Sequence, residues 1–309
     1  MSSLTRRTAL KYVAAAASPL FAAAPQPASK RMYLSLNETL VSGRVKWPEF
    51  AKLASRVGFP GVDVMLDAAM QAGAEATNEM LAQLHVRPAV INFPVEFRKD
   101  DATFKTGLAK LDPAARFAKA IGCPRMVTYI MSSSETPKEE LRRMYKQRFT
   151  DSARILAASD VRLGLEFLGP LQFRKRFPHE FIWRMPEMLE FAKECGPNVG
   201  LLLDAWHWHH AGATASDIIA AGRERIVHVH FDDAPNLPPE QIRDNERLMP
   251  GEGVIDLVGF LHALKEIGYT DALSVEVFGR GLKEMTPEQG AKLGLEKAKA
   301  VFAKAGIPG

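Results

Sequence analysis

The chain has 309 residues, 47% of them hydrophobic and 25% charged, with a formal net charge of +4. Arg6, Arg7 and Lys11 lie in the first 24 residues without an acid, and taking those three from the 40 basic residues leaves 37 against 36 acids. A near-neutral body of this size is one large globular domain or two small ones. It gives no whole-molecule electrostatic case for a nucleic-acid partner.

The first element is residues 1–24, MSSLTRRTALKYVAAAASPLFAAA. A basic start, an apolar stretch from Tyr12 to Phe21 and a small-residue end predict an export signal, too short to span a membrane. Thr5 to Lys11 resembles a twin-arginine signal, with Ala9 where Phe is usual; the alternative is a general secretory signal that carries two arginines. The expectation is a periplasmic or otherwise exported protein. It is handled by the twin-arginine machinery and has no stable membrane span in its mature form. Residues 25–30 read as a linker and 31–309 as the folded body. Two cysteines, Cys123 and Cys195, allow one bond but no disulfide framework or CxxC metal motif.

From Lys30 onward, strand and helix patterns alternate. Predicted strands are Met32–Leu36, the run after the Gly58–Pro60 turn through Met65, Pro88–Phe93, Arg125–Ile130, Arg162–Phe167, Val199–Leu203, Ile226 to about His230, and Ala272–Val277. Predicted helices are Trp47–Val57, Thr77–Leu84, Leu108–Ile121, Pro137–Ala158, Pro186–Cys195, Leu257–Ile267 and Thr286–Ala305. Short, wholly apolar runs are what a parallel sheet buried on both faces requires. Eight such strands over about 280 residues predict a single-domain α/β fold, the (β/α)8 TIM barrel. An open doubly wound sheet is the alternative, but no Gly-rich phosphate or dinucleotide fingerprint follows any strand.

Four consecutive strands end in metal-binding residue types: Glu166, Asp204, His230 and Glu276. Side chains alternate along a strand. Glu166 therefore shares a face with Gly164, Asp204 with Leu202, His230 with His228, and Glu276 with Ser274. If those faces point inward, one imidazole and three carboxylates converge at the carboxyl-terminal mouth. Three buried carboxylates need a cation, and an oxygen-rich donor set favours one divalent ion, Mn²⁺ foremost, with Mg²⁺, Co²⁺ or Zn²⁺ as alternatives. His228 lies one layer deeper and reads as core or support. His207 reads as a substrate or supporting group at the same mouth, and His209 and His210 as loop residues. Trp206 and Trp208 either wall the pocket or pack on the adjacent helix.

The segments LGLEFLGP, LLLDAWHWHHAG, IVHVHFDD and RLMPGEGVIDLVGFLHALKEIGYTDALSVEVF, with GFPGVDVML more weakly, resemble the xylose isomerase-like TIM barrel superfamily. Within it they are similar to the sugar phosphate isomerase/epimerase group. The resemblance implies that Glu166, Asp204, His230 and Glu276 bind the divalent metal. It further implies that Glu166 and Glu276 form the acid/base pair, and that His207 and Arg247 approach the substrate. For Arg247 a loop salt bridge is the alternative. The strand-five turn, Phe167 to Pro170, is more apolar than that of the ketose epimerases. The expected activity is a divalent-metal-dependent isomerase or epimerase acting on an unphosphorylated sugar or keto-sugar by enediolate proton transfer. The alternatives are a lyase or dehydratase on an oxidised sugar or inositol, including cleavage of a 3-keto-glycoside, and a carbohydrate-binding barrel without turnover. A DNA-repair nuclease of the same superfamily needs more histidine ligands. The expected partner is a small carbohydrate, and the sequence does not specify the oligomer.

Overall fold

The computed structural model describes residues 31–308; the expected export signal, the linker and Gly309 lie outside the described residues. Eight parallel strands close into a barrel: β1 Tyr33–Leu36, β2 Gly61–Val64, β3 Arg87–Asn92, β4 Arg125–Ile130, β5 Arg162–Phe167, β6 Val199–Asp204, β7 Ile226–Phe231 and β8 Ala272–Val275. Each strand pairs with its sequence neighbours, and β1 closes the ring on β8 with Leu36 opposite Val275. The (β/α)8 expectation holds. β6 and β7 are buried at every residue, which is why they are mostly apolar apart from Asp204, His228 and His230.

Helices sheath the barrel on its outer face. In the helix Lys138–Ala157, Leu141, Tyr145, Phe149, Ala153 and Leu156 are buried at three- and four-residue intervals. Phe149 packs on Phe97 and Phe191 with ring centroids 4.6 and 6.2 Å apart. The last helix, Pro287–Lys304, begins with a capping box: Gln289 N donates to Thr286 Oγ1 at 3.2 Å and Thr286 N to Gln289 Oε1 at 2.8 Å. At the bottom of the barrel Arg125 donates to Ala89 O at 2.8 Å and pairs with Asp271 at 2.9 Å. Cys123 and Cys195 are both free and buried. Among the described residues, no helix is long and apolar enough to cross a membrane.

Short helices account for most differences from the predicted elements. Leu66–Ala72, Asp101–Leu108, Leu171–Arg174 and Ala205–His210 have eight residues or fewer, too few for a periodic signal. The last of these corrects the loop reading of His209 and His210. The long connection after β5 is pinned to the one after β4 by a two-residue antiparallel ladder, Ser133–Ser134 with His179–Glu180.

Candidate metal centre and active site

Glu166 sits near the end of β5, Asp204 ends β6, His230 lies near the end of β7, and Glu276 follows β8. Register carries them to one level: Asp204 is opposite His230, and His230 opposite Ser274. Parity then turns all four side chains inward. One donor atom from each lies within 4.8 Å of the others. His230 Nδ1 is 3.1 Å from Glu276 Oε2, 3.5 Å from Glu166 Oε1 and 3.6 Å from Asp204 Oδ2.

These residues fit a divalent cation. Glu166 Oε1 and His230 Nδ1 are buried and make no hydrogen bond of good geometry. Orphaned buried polar atoms are costly, and a cation at their meeting point relieves both. Without one, the electrostatics are strained. Burial and then the charges of Asp204 and Glu276 push the Glu166 carboxyl up to about 8, although His230 opposes them. Burial disfavours charge on His230, yet Glu276 and the other carboxylates raise it well above its ordinary value.

Arg247 completes the charge balance. Its guanidinium is 2% exposed. Nη1 donates to Asp204 Oδ2 at 2.7 Å, Asp232 Oδ2 at 2.6 Å and Glu276 Oε2 at 3.0 Å. Nη2 and Nε donate to Asp244 Oδ1 at 2.9 and 3.1 Å. Burial would raise the Asp204 carboxyl, but the charges of Arg247 and His230 hold it well below the usual carboxylate range. Arg247 is thus a salt-bridging residue and also a cavity-lining one.

His207 lies 3.2 Å from Arg247 through Nε2. Arginine only donates, so Nε2 accepts and Nδ1 carries the proton. Burial, reinforced by Arg247, pushes this imidazole down to about 4, so it is neutral at ordinary pH. Its Nδ1–H has no partner among the described residues. Asp204 positions it: Asp204 Oδ1 accepts from His207 N at 3.0 Å and caps the helix Ala205–His210.

The other aromatic expectations divide. Trp206 is not a pocket wall: it is completely buried, packs edge-on against His210 at 4.5 Å and lies 5.6 Å from the Arg247 guanidinium. Trp208 packs on Phe260 at 5.2 Å and donates to Thr214 O at 3.2 Å. His228 is fully buried under His230, its Nε2 2.8 Å from Ser274 Oγ.

Sequence reasoning noted Asp232 as a metal-binding residue type without giving it a role, and missed Asp244 and Asp63. Asp232 accepts from Trp206 N and Arg247. Asp244, on the loop before Arg247, grips its outer edge. Asp63, on β2, accepts from Ser35 Oγ at 2.7 Å, Ser274 Oγ at 2.6 Å and Asn37 Nδ2 at 2.9 Å. The alternation that found Glu166 would also have found Asp63. Asp233 serves the loop instead, accepting from the N–H groups of Ala234, Gly251, Gly253 and Ile255. That cradle needs glycine at 253, where a Cβ would stand 2.2 Å from Ala234 O. Above the cluster opens a cavity of about 580 Å³, reached by Glu166, His207, His230, Arg247 and Glu276 and rimmed by Arg98.

The family profile of the xylose isomerase-like TIM barrels matches residues 50–301. The chain belongs to this family. It is 29% identical over 223 residues to an inosose isomerase of Halalkalibacterium halodurans, covering 71% of this chain and 77% of that protein. A xylose isomerase domain protein from Alicyclobacillus acidocaldarius superposes with a TM-score of 0.82 at 28% identity, over 89% of this chain and 99% of that one. The IOLI protein, solved with a bound zinc atom, superposes with a TM-score of 0.75 at 24% identity, over 89% and 99%; at that identity the likeness is one of fold.

Proposed function

We propose that this xylose isomerase-like barrel is a divalent-metal-dependent isomerase or epimerase of an unphosphorylated sugar or keto-sugar. The observation that carries the reading is the convergence of one imidazole and three carboxylates within 4.8 Å at the floor of a cavity that also holds a neutral histidine and a buried arginine. The inosose isomerase relative supports the substrate class. The zinc atom bound by the IOLI protein, a barrel of the same fold, is in keeping with a divalent ion. The donor set also suits Mn²⁺, which is our choice of ion. The lack of a phosphate on the substrate rests on the export signal read from residues 1–24.

When bound, the ion supplies Lewis-acid polarisation of a carbonyl and its neighbouring hydroxyl. The chain's own residues do the rest. Glu166 and Glu276 approach from strands on different sides of the mouth. One takes the proton from the carbon next to the carbonyl and the other returns one. The unpartnered Nδ1–H of His207 donates to a substrate oxygen. Arg247 holds Asp204 and Glu276 in place by hydrogen bonds of 2.7 and 3.0 Å, so that neither swings to pair elsewhere.

The test is turnover in D₂O by metal-replete protein, with free aldoses, ketoses, keto-sugars and inososes as candidates. Mass spectrometry of products reads the chemistry. Deuterium at one carbon of a rearranged product is the expected result. Loss of water points to the dehydratase, and absence of turnover across the panel refutes an isomerase. Glu276→Gln and Glu166→Gln, each with metal content measured, are expected to lose about 10²–10⁴ in kcat with a smaller change in KM. Retention of rate within about threefold in both would place the acid and base elsewhere.

A further inference from the structure

The mouth of the barrel is wider than the metal cluster requires. Beside the cavity above the cluster lies a second hollow of about 540 Å³, over the ends of β1, β2 and β3. The two meet at His230 and share Asn37, Glu38, Asn92 and Phe93 as a common wall. Small-molecule pockets run about 300–1,000 Å³, so either hollow alone takes one sugar ring. A one-ring substrate held at the cluster would leave the second hollow to water.

The lining of that hollow has a definite chemistry. Trp47, Met65 and Phe93 give it an apolar wall. Glu38, Lys46, Asp67 and Asn92 stand around it, exposed, and among the described residues their side chains make no hydrogen bond or ion pair with the protein. Asp63 also lines it, held by Ser35, Ser274 and Asn37. A carboxylate has about four acceptor sites, so three donors leave one for a ligand. The Asn37 amide spends one hydrogen on Asp63 and keeps the other. An anion here would face Glu38, Asp63 and Asp67 against Lys46 alone. An apolar chain would desolvate the same groups without replacing their hydrogen bonds. A sugar ring satisfies both requirements: its C–H face packs on an aromatic surface, and its hydroxyls reach the carboxylates and amides.

We propose that this second hollow is a sugar subsite, and that the substrate is a two-ring glycoside with its reacting ring at Glu166, Asp204, His230 and Glu276 and its other ring against Asp63 and Trp47. The inference rests on the reading of the cluster as a sugar site. Calorimetric titration of the metal-loaded full chain with glucose, cellobiose, maltose and trehalose tests it. At least one disaccharide is expected to bind about tenfold more tightly than glucose, or more. Met65→Trp and Ala68→Trp both fill the hollow. In each, the ratio of disaccharide to glucose affinity is expected to fall to within about twofold of unity. Metal content and melting temperature identify a variant that has misfolded, and the second substitution then stands in for the first. The proposal is overturned if no disaccharide exceeds glucose by more than about threefold, or if the advantage survives both substitutions. Single-ring sugars that still bind and exchange deuterium would leave the function of the cluster intact and remove only the subsite. Failure of every sugar to bind or exchange would overturn both.

Discussion

Arg247→Met offers a sharp test of how the site is held together. The guanidinium is buried and its Nη1 alone touches Asp204, Asp232 and Glu276, at 2.7, 2.6 and 3.0 Å. Methionine keeps much of the length and none of the charge. Removing one partner of a buried ion pair costs about 3–5 kcal/mol, because the remaining charges stay buried and uncompensated. A domain of about 150–250 residues loses about 2–4 °C per kcal/mol. In chelator, Arg247→Met is therefore expected to melt about 6–20 °C below wild type. A divalent ion supplies the missing positive charge to Asp204 and Glu276, so the variant gains more from added metal than wild type does. At about a hundred times Kd, a ligand bound only by the folded state adds about 2.7 kcal/mol, and a tighter Kd enlarges that gain. Differential scanning calorimetry with and without Mn²⁺ reads both quantities. Arg247→Lys keeps the charge, but one ammonium cannot span the carboxylates on both sides as the planar fork does, so it should fall between the two. An apo melting point within about 2 °C of wild type, or an equal metal-induced shift, would refute the charge-balance argument.

Three further outcomes are expected. His230→Ala removes the only nitrogen donor of the four-residue cluster, so metal content by elemental analysis should drop and the Mn²⁺-induced melting shift should shrink; a full metal complement in this variant would rule out the shared site. Burial pushes the Asp63 carboxyl from 3.8 up to about 6, with hydrogen bonds from Ser274 and Ser35 opposing it. The folded state then holds a proton that the unfolded chain has released, so the stability due to Asp63 is fullest below about pH 4 and falls as pH rises to about 6. The stability difference between wild type and Asp63→Asn, measured in chelator, should decline by up to about 3 kcal/mol from pH 4 to 7; a flat difference would show that Asp63 ionises normally. For the proposed export, replacing Arg6 and Arg7 with lysine should trap folded precursor in the cytoplasm, and undiminished appearance in the periplasm would exclude the twin-arginine route.

How much of this was legible follows from which interactions are local. Strands β4 and β5 match their predicted bounds at both ends, because Arg125–Ile130 and Arg162–Phe167 are short, mostly apolar runs whose pattern is set locally along the strand. The four-residue cluster was legible for the same reason: alternation along a strand is rigid, and each donor lies at or just beyond a strand end. Trp206 was misplaced because proximity to Asp204 along the chain says nothing about direction once a helix begins. One residue of helix turns a side chain by about 100°, and that step sends Trp206 into the core while His207 faces the cavity. Asp244 left no trace, since it opens a single 3-10 turn, Asp244–Glu246, too short for any periodicity to set its direction. Asp63 was within reach, but β2 is only four residues long and half polar on its inner face, so it lacks the apolar run that marked the other strands.

The division between strand ends and loops bears on what the fold can transfer from one member of the family to another. Backbone register fixes the positions of Glu166, Asp204 and His230, which lie opposite Tyr129, His230 and Ser274 on neighbouring strands. Arg247 is different. It stands on a loop, and its position depends on Asp233 accepting four backbone N–H groups and on the Asp233–Leu248 bridge that draws the loop down onto β7. Those bonds require a glycine at 253 and a carboxylate at 233, but nothing of the residues between Pro235 and Asp244. Apart from Ile242, which is buried in the core, the loop can therefore vary in its middle while still delivering Arg247 to the four-residue cluster. The second hollow is less constrained still, because Lys46, Asp67 and Asn92 make no side-chain bond that the fold needs. Substitutions in the hollow should accordingly change KM among sugars far more than they change the rate of proton transfer.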